Sequence, residues 1–269
     1  MDRRRFLTLL AAGTATALAG CSTAQATDPS VPGATTVPPA DPGPAPVPRP
    51  PTLPPPPPAS AKVAVPPGPL TALPGPGQNL ALTVDDGADP AVVEAYIQFA
   101  EDTGARFTFF VTGRYPAWTD LAPRLRPLVE TGQIQLGNHT WSHPDLTSLS
   151  ADDVADELGR TRKLLRDTYG VDGTPYFRPP YGYRNPQLDR IAADLGYTVP
   201  TLWYGSLSDS GVITEEYLVK MAHQYFTPQA IVIGHANHPT VTHCYPQLVE
   251  VIRERNLAMV TLDDVLLSH

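Results

Sequence analysis

Two neighbouring carboxylates, Asp85 and Asp86, precede Gly87. Adjacent strand residues point to opposite faces, so both can serve one site only where the strand ends and the backbone turns, which a glycine permits. The same triplet is also an ordinary solvated turn. His139 and His143 stand four residues apart in Asn138-His139-Thr140-Trp141-Ser142-His143. On a helical turn that spacing puts both imidazoles on one face, as in a metal pair. An Asp with two His is a plausible donor set for zinc, with positions open for water and substrate. Arg178-Pro179-Pro180-Tyr181-Gly182 supplies a permanent cation suited to a carboxylate, then two prolines without N–H groups. The next donor is the N–H of Tyr181, held rigidly and able to face an oxyanion. Asp209 and the pair Gly234-His235 complete the set, although a His at a strand end serves structure as readily as catalysis. His223, His238, His243 and His269 fall in helix, loop or terminal settings, with a chance cluster of His235, His238 and His243 left open.

The set recurs just beyond short apolar runs. Residues 80–84, 106–112, 133–136, 174–177, 197–203, 230–234 and 258–262 read as strands. Between them the spacing predicts helices over 90–103, 121–131, 151–169, 187–194, 214–224 and 246–255, with Ser150 and Asn185 as N-caps and Gly132 and Gly170 as stops. Strands separated by helices imply a parallel sheet. Seven such units predict an α/β fold, a distorted (β/α) barrel of about seven strands. Active sites of such folds gather at the C-terminal strand ends, where these polar residues lie.

The rest of the chain is of another kind. Of 33 prolines in 269 residues, 20 lie between positions 29 and 76. That leaves one folded domain, expected over 78–269. Residues 22–77 lack the aromatic and aliphatic mass for a core and are expected to be disordered, a spacer in extended polyproline form. Residues 1–21 read as an export signal: Arg3, Arg4 and Arg5 precede an apolar run too short to span a membrane. Asp2-Arg3-Arg4-Arg5-Phe6-Leu7 resembles a twin-arginine signal, and Leu18-Ala19-Gly20-Cys21 resembles the bacterial lipobox, which implies lipidation of Cys21 and a membrane anchor facing the cell wall. The formal charge of −8, with no basic tract, argues against a nucleic-acid partner. Two cysteines, Cys21 and Cys244, make no disulfide framework, and a lipidated Cys21 would leave Cys244 a free thiol.

In order along the chain, Thr83-Val84-Asp85-Asp86-Gly87, His139-Thr140-Trp141-Ser142-His143-Pro144, Arg178-Pro179-Pro180-Tyr181-Gly182 and Ile231-Val232-Ile233-Gly234-His235 resemble the motifs of the polysaccharide deacetylase family, the NodB-homology domain of carbohydrate esterase family 4. The segment 104–113 is similar to that family's second strand. The resemblance implies removal of N-acetyl groups from the amino sugars of a polymer. It assigns Asp86, His139 and His143 to a divalent ion, zinc by first choice, with cobalt or another divalent ion as alternatives. It implies Asp85 as general base, Arg178 as its orienting cation, Tyr181 as oxyanion donor, and His235 as general acid tuned by Asp209. The chain departs from the family at Ser210, where a pocket-lining Trp is usual, and at Ala236, where Asp is frequent. An exported, anchored enzyme would meet peptidoglycan; xylan and chitin are the alternative polymers, and a wall-binding lipoprotein without catalysis is the alternative class.

Overall fold

The computed structural model describes residues 52–267. The expected export signal, Cys21 and the stretch up to residue 51 lie outside the described residues. The strands are β1 (Val63–Ala64), β2 (Asn79–Asp86), β3 (Phe107–Val111), β4 (Ile134–Asn138), β5 (Tyr176–Phe177), β6 (Val199–Pro200), β7 (Gly205–Ser206), β8 (Ala230–His235), β9 (Ala258–Met259) and β10 (Leu266–Leu267). Between them stand α1 (Pro90–Thr103), α2 (Ala117–Asp120), α3 (Ala122–Glu130), α4 (Ala151–Tyr169), α5 (Pro186–Asp194), α6 (Glu215–Tyr225), α7 (Tyr245–Glu254) and α8 (Leu262–Val265). Seven parallel strands run in the order β6-β5-β4-β3-β2-β8-β7, and β9 pairs with the start of β2.

This order forces the sheet to curl. β6 and β7 lie at opposite ends of the path, yet only residues 201–204 separate them in the chain. Five residue steps reach at most roughly 18 Å, so the two edges must come nearly together. The expected single strand over 197–203 is therefore two short strands on opposite edges. Pro200, which cannot donate to a ladder, ends the first of them.

Both sheet faces are buried, which explains the unbroken apolar run at the start of β2. Leu80, Leu82 and Val84 pack outward in the core shared with α1 and α7, while Ala81 joins Phe110, Tyr176 and Ile231 in a second core. The helices start and stop as the sequence dictates. Ser150 Oγ accepts from Asp153 N–H at the head of α4, and Gly170 ends that helix at φ 76°. Asn185 Oδ1 accepts from Gln187 and Leu188 at the head of α5. The helix expected over 121–131 stops at Glu130, and α2 precedes it after Pro116.

The spacer expectation needs correction over 52–77. Leu53, Leu70 and Leu73 in this segment are 7%, 1% and 4% exposed. Leu70 and Leu73 sit in the same core as Ala81 and Phe110. Leu70 bridges to Thr201 in parallel, and Ala72 to Ala230 in antiparallel sense. The segment thus straps the opening between the β6 side and β8, and β1 pairs with β10. An average over a proline-rich composition hides three leucines that each find a core position. Leu70→Ala is expected to destabilise the domain by about 2–5 kcal/mol, the usual loss for a large buried side chain, as measured by urea unfolding. A chain begun at residue 78 should unfold at a markedly lower temperature than one begun at residue 52.

Candidate active site

Every member of the predicted set lies within five residues of a C-terminal strand end: Asp85, Asp86 and His235 close their strands, His139 and Arg178 follow directly, and Asp209, Tyr181 and His143 follow by three, four and five residues. The register explains their meeting: Asp85 lies opposite His235 on one side and Phe110 on the other, and Asn138 lies opposite both Val111 and Phe177. Adjacent strands are about 4.8 Å apart, so neighbours in register can share one site.

The two carboxylates are turned into the site by backbone geometry. Asp86 itself adopts φ 75° and Gly87 follows at 95°. A side chain at Gly87 is impossible, because its Cβ would lie 2.3 Å from the Trp118 ring, whose Nε1–H donates to the Asp86 carbonyl at 3.0 Å. The expected helical turn at His139 and His143 is absent. Left-handed residues at Thr140 (φ 70°) and His143 (φ 64°) coil the loop instead, and bring the two rings to 4.9 Å between centroids. The four-residue spacing points to the pair, but a loop rather than a helix closes it. Glu157 on α4 holds that loop. Its carboxylate accepts from the N–H groups of Trp141 and Ser142 and from the Ser142 hydroxyl, at 2.7–2.9 Å.

Asp86, His139 and His143 can each offer a ligand atom, all within 4.8 Å of one another. Asp86 Oδ1 is 3.7 Å from His139 Nε2 and 3.5 Å from His143 Nε2. His139 Nδ1 donates to the Arg178 carbonyl at 2.6 Å, which fixes the tautomer that leaves Nε2 free for a metal. One carboxylate and two imidazoles suit a divalent transition ion. Burial pulls the His143 pKa down, with His139 adding to the effect, against the opposing pull of Asp86 and Asp85.

Asp85 is the partner of Arg178. Arg178 Nη1 donates to Asp85 Oδ1 at 2.6 Å, Nε to the Thr201 carbonyl and Nη2 to the Leu202 carbonyl, both at 3.0 Å. The guanidinium is fully buried, 4.2 Å above the Phe110 ring. Burial lowers its pKa, and Asp85 opposes that shift. Asp85 Oδ2 remains on the metal side, 3.5 Å from His139 Nε2. Across from it, His235 Nδ1 faces Asp209 Oδ1 at 3.0 Å, and the His235 N–H donates to Asp209 Oδ2 at 3.2 Å. Burial would lower the His235 pKa, but the Asp209 hydrogen bond and the charges of Asp85, Asp209 and Asp86 outweigh it and raise it. Tyr181 sits behind its two prolines at φ 60°, with its ring 4.7 Å from that of His143.

The sequence matches the polysaccharide deacetylase family over residues 73–200. Residues 73–200 carry the sequence of a polysaccharide deacetylase domain. The chain is 28% identical over 193 residues to the peptidoglycan-N-acetylglucosamine deacetylase PgdA of Listeria monocytogenes, covering 70% of this chain and 39% of that protein. It is 37% identical over 130 residues to chitin deacetylase 1 of Cryptococcus neoformans, covering 48% of this chain and 26% of the relative. The chain thus spans well under half the length of either. Among solved structures, the T48 deacetylase with substrate superposes with a TM-score of 0.62 at 27% identity, over 70% of this chain and 89% of that one.

The folded body carries a further residue that sequence reasoning passed over. Asn237 Nδ2 donates to Asp86 Oδ2 at 2.7 Å, while its Oδ1 accepts from Ala88 N–H at 3.3 Å. This pins the carboxylate with Oδ1 toward the two histidines. Asn237 lies two residues beyond His235, and no motif flagged it. Asn237→Ala is expected to weaken divalent-metal binding about 10–100-fold, the usual worth of a group orienting a ligand, as read by calorimetric titration. Ser210, at the family's Trp position, is exposed. Cys244 is buried and free.

Proposed function

We propose that the domain hydrolyses the N-acetyl groups of amino sugars in peptidoglycan, with zinc as its metal. The observation that carries the reading is the position of Asp85. It is locked on one oxygen by Arg178, with the other oxygen beside the Asp86, His139 and His143 donors. A divalent ion held by those three residues would supply Lewis acidity, activating water and polarising the acetyl carbonyl. Asp85 Oδ2 takes the proton of the attacking water as oxygen adds to the carbonyl carbon. The Tyr181 N–H faces the developing oxyanion. His235 holds a proton because Asp209 stabilises its charged ring, and it delivers that proton from Nε2 to the sugar nitrogen as the C–N bond breaks. Acetate and a free amino sugar leave.

Peptidoglycan is favoured by the name of the PgdA relative and by the lipobox-like Leu18-Ala19-Gly20-Cys21, which would anchor the chain outside the membrane. The test is mass spectrometry of acetylated peptidoglycan fragments and chitin oligomers after incubation with the zinc-loaded chain. Loss of acetyl from the wall fragments with release of acetate is expected. Loss from chitin alone overturns the choice of polymer, and no acetate from either overturns the activity. For the anchor, Cys21→Ala should release the protein from the membrane or leave an unprocessed precursor; normal processing with unchanged retention counts against it.

A further inference from the structure

Behind the His235–Asp209 pair lies a buried polar cluster that the hydrolytic steps leave unused. Asp209 is 1% exposed and engages His235 through both oxygens. Close to it stand two phenols, Tyr96 from α1 and Tyr245 from α7, with ring centroids 5.5 Å apart. Both hydroxyls are buried, and neither has a hydrogen-bond partner among the described residues. Burial foremost raises both phenols well above their ordinary range, with Tyr245 and then Asp209 adding to it at Tyr96 and Asp209 at Tyr245, so both remain O–H donors. Gly234 marks where the groups converge. A Cβ on it would lie 3.3 Å from Tyr96 Oη and 3.4 Å from Asp209 Oδ2. The glycine adds no side chain of its own to the space beside both groups, where Leu207 Cδ1 would also lie 3.3 Å from that Cβ.

Buried polar groups are paired almost without exception, through an internal water where no protein group reaches. Two unpartnered donors beside one carboxylate match what a single water needs. It accepts from both hydroxyls and donates one proton onward. We propose that an internal water is bound between Tyr96 Oη, Tyr245 Oη and Asp209 Oδ2, and that the two tyrosines position Asp209, and through it the His235 ring. The water is a structural claim. Its catalytic consequence rests on the reading of His235 as the acid.

The test uses Tyr96→Phe and Tyr245→Phe in the full chain, each keeping its ring. If the hydroxyls hold the water, each variant should melt about 2–4 °C below the parent. A high-resolution crystal structure of the parent should show a water about 2.8 Å from Asp209 Oδ2, at ordinary hydrogen-bond distance. On acetylated glycan, kcat should fall about threefold or more with KM unchanged, because the acid acts only after substrate has bound. The opposite outcome, variants that melt higher than the parent with kcat unchanged, means the hydroxyls are simply unpaired and overturns the proposal. Melting and water density require no substrate, so they decide the site even if the chain releases acetate from none of the polymers offered.

Discussion

Asp85→Asn should lower kcat about 10²–10⁴-fold, the usual worth of a general base, while binding zinc nearly as the parent does. Asn keeps an oxygen for Arg178 Nη1, so the 2.6 Å contact survives in shape, but the side chain can no longer accept the proton of water. Asp86→Asn should behave differently, and Asn237 is the reason. Asn237 donates through Nδ2, because its Oδ1 is taken by the Ala88 N–H. An Asn at position 86 must therefore turn its own oxygen to Asn237 and its NH₂ toward the histidines. An NH₂ cannot ligate, so zinc affinity falls and raised zinc restores part of the activity. Metal titration and steady-state kinetics on both variants check this. Zinc rescue of Asp85→Asn but not of Asp86→Asn would show that the two carboxylates have exchanged roles, and full turnover in both would remove the site altogether.

Arg178→Met should cost about 3–5 kcal/mol of stability, the penalty for leaving a buried charge without its partner. Asp85 is 2% exposed, so solvent is a poor substitute for the guanidinium on its Oδ1 side. The carbonyls of Thr201 and Leu202 lose their donor in the same step. Against a total domain stability of roughly 5–15 kcal/mol, a loss of that size is severe. Arg178→Lys should recover only part of it, since one ammonium cannot reproduce a fork that bonds three groups while lying flat on Phe110. Adding Asp85→Leu to Arg178→Met should restore most of the stability and none of the activity. Urea unfolding of the three variants measures this, and equal stability of the single and double variants would refute a dominant role for the unpaired carboxylate.

The strand and helix alternation was legible because each element buries an apolar face and ends in a recognisable cap, as Ser150 and Gly170 do for α4. The chemical set was legible because residue type limits chemistry: few arrangements of adjacent Asp, spaced His, Arg and a strand-end His sit in this order. The routes by which these side chains meet were not. Positive φ at Asp86, Thr140 and His143 depends on tertiary contacts such as Trp118 on the Asp86 carbonyl and Glu157 on the loop amides. Asn237 and Glu157 lie outside any spacing rule, since each acts on a residue more than ten positions away. The strap over 52–77 was hidden by composition, because leucines between prolines count little in an average and much in a core.

That strap also fixes the polarity of the molecule under load. Leu53 N–H bonds to the Thr103 carbonyl at the end of α1, and Arg253, near the end of α7, reaches the Thr52 carbonyl. Both helices leave the site end of the sheet and finish at the opposite pole. The chain therefore joins the domain at the pole away from Asp86, His139 and His143. A pull on the chain at residue 52 would enter through Leu53 and the helix ends at the base of the sheet, the heel of the domain, rather than through the loops that carry the metal-ligand candidates.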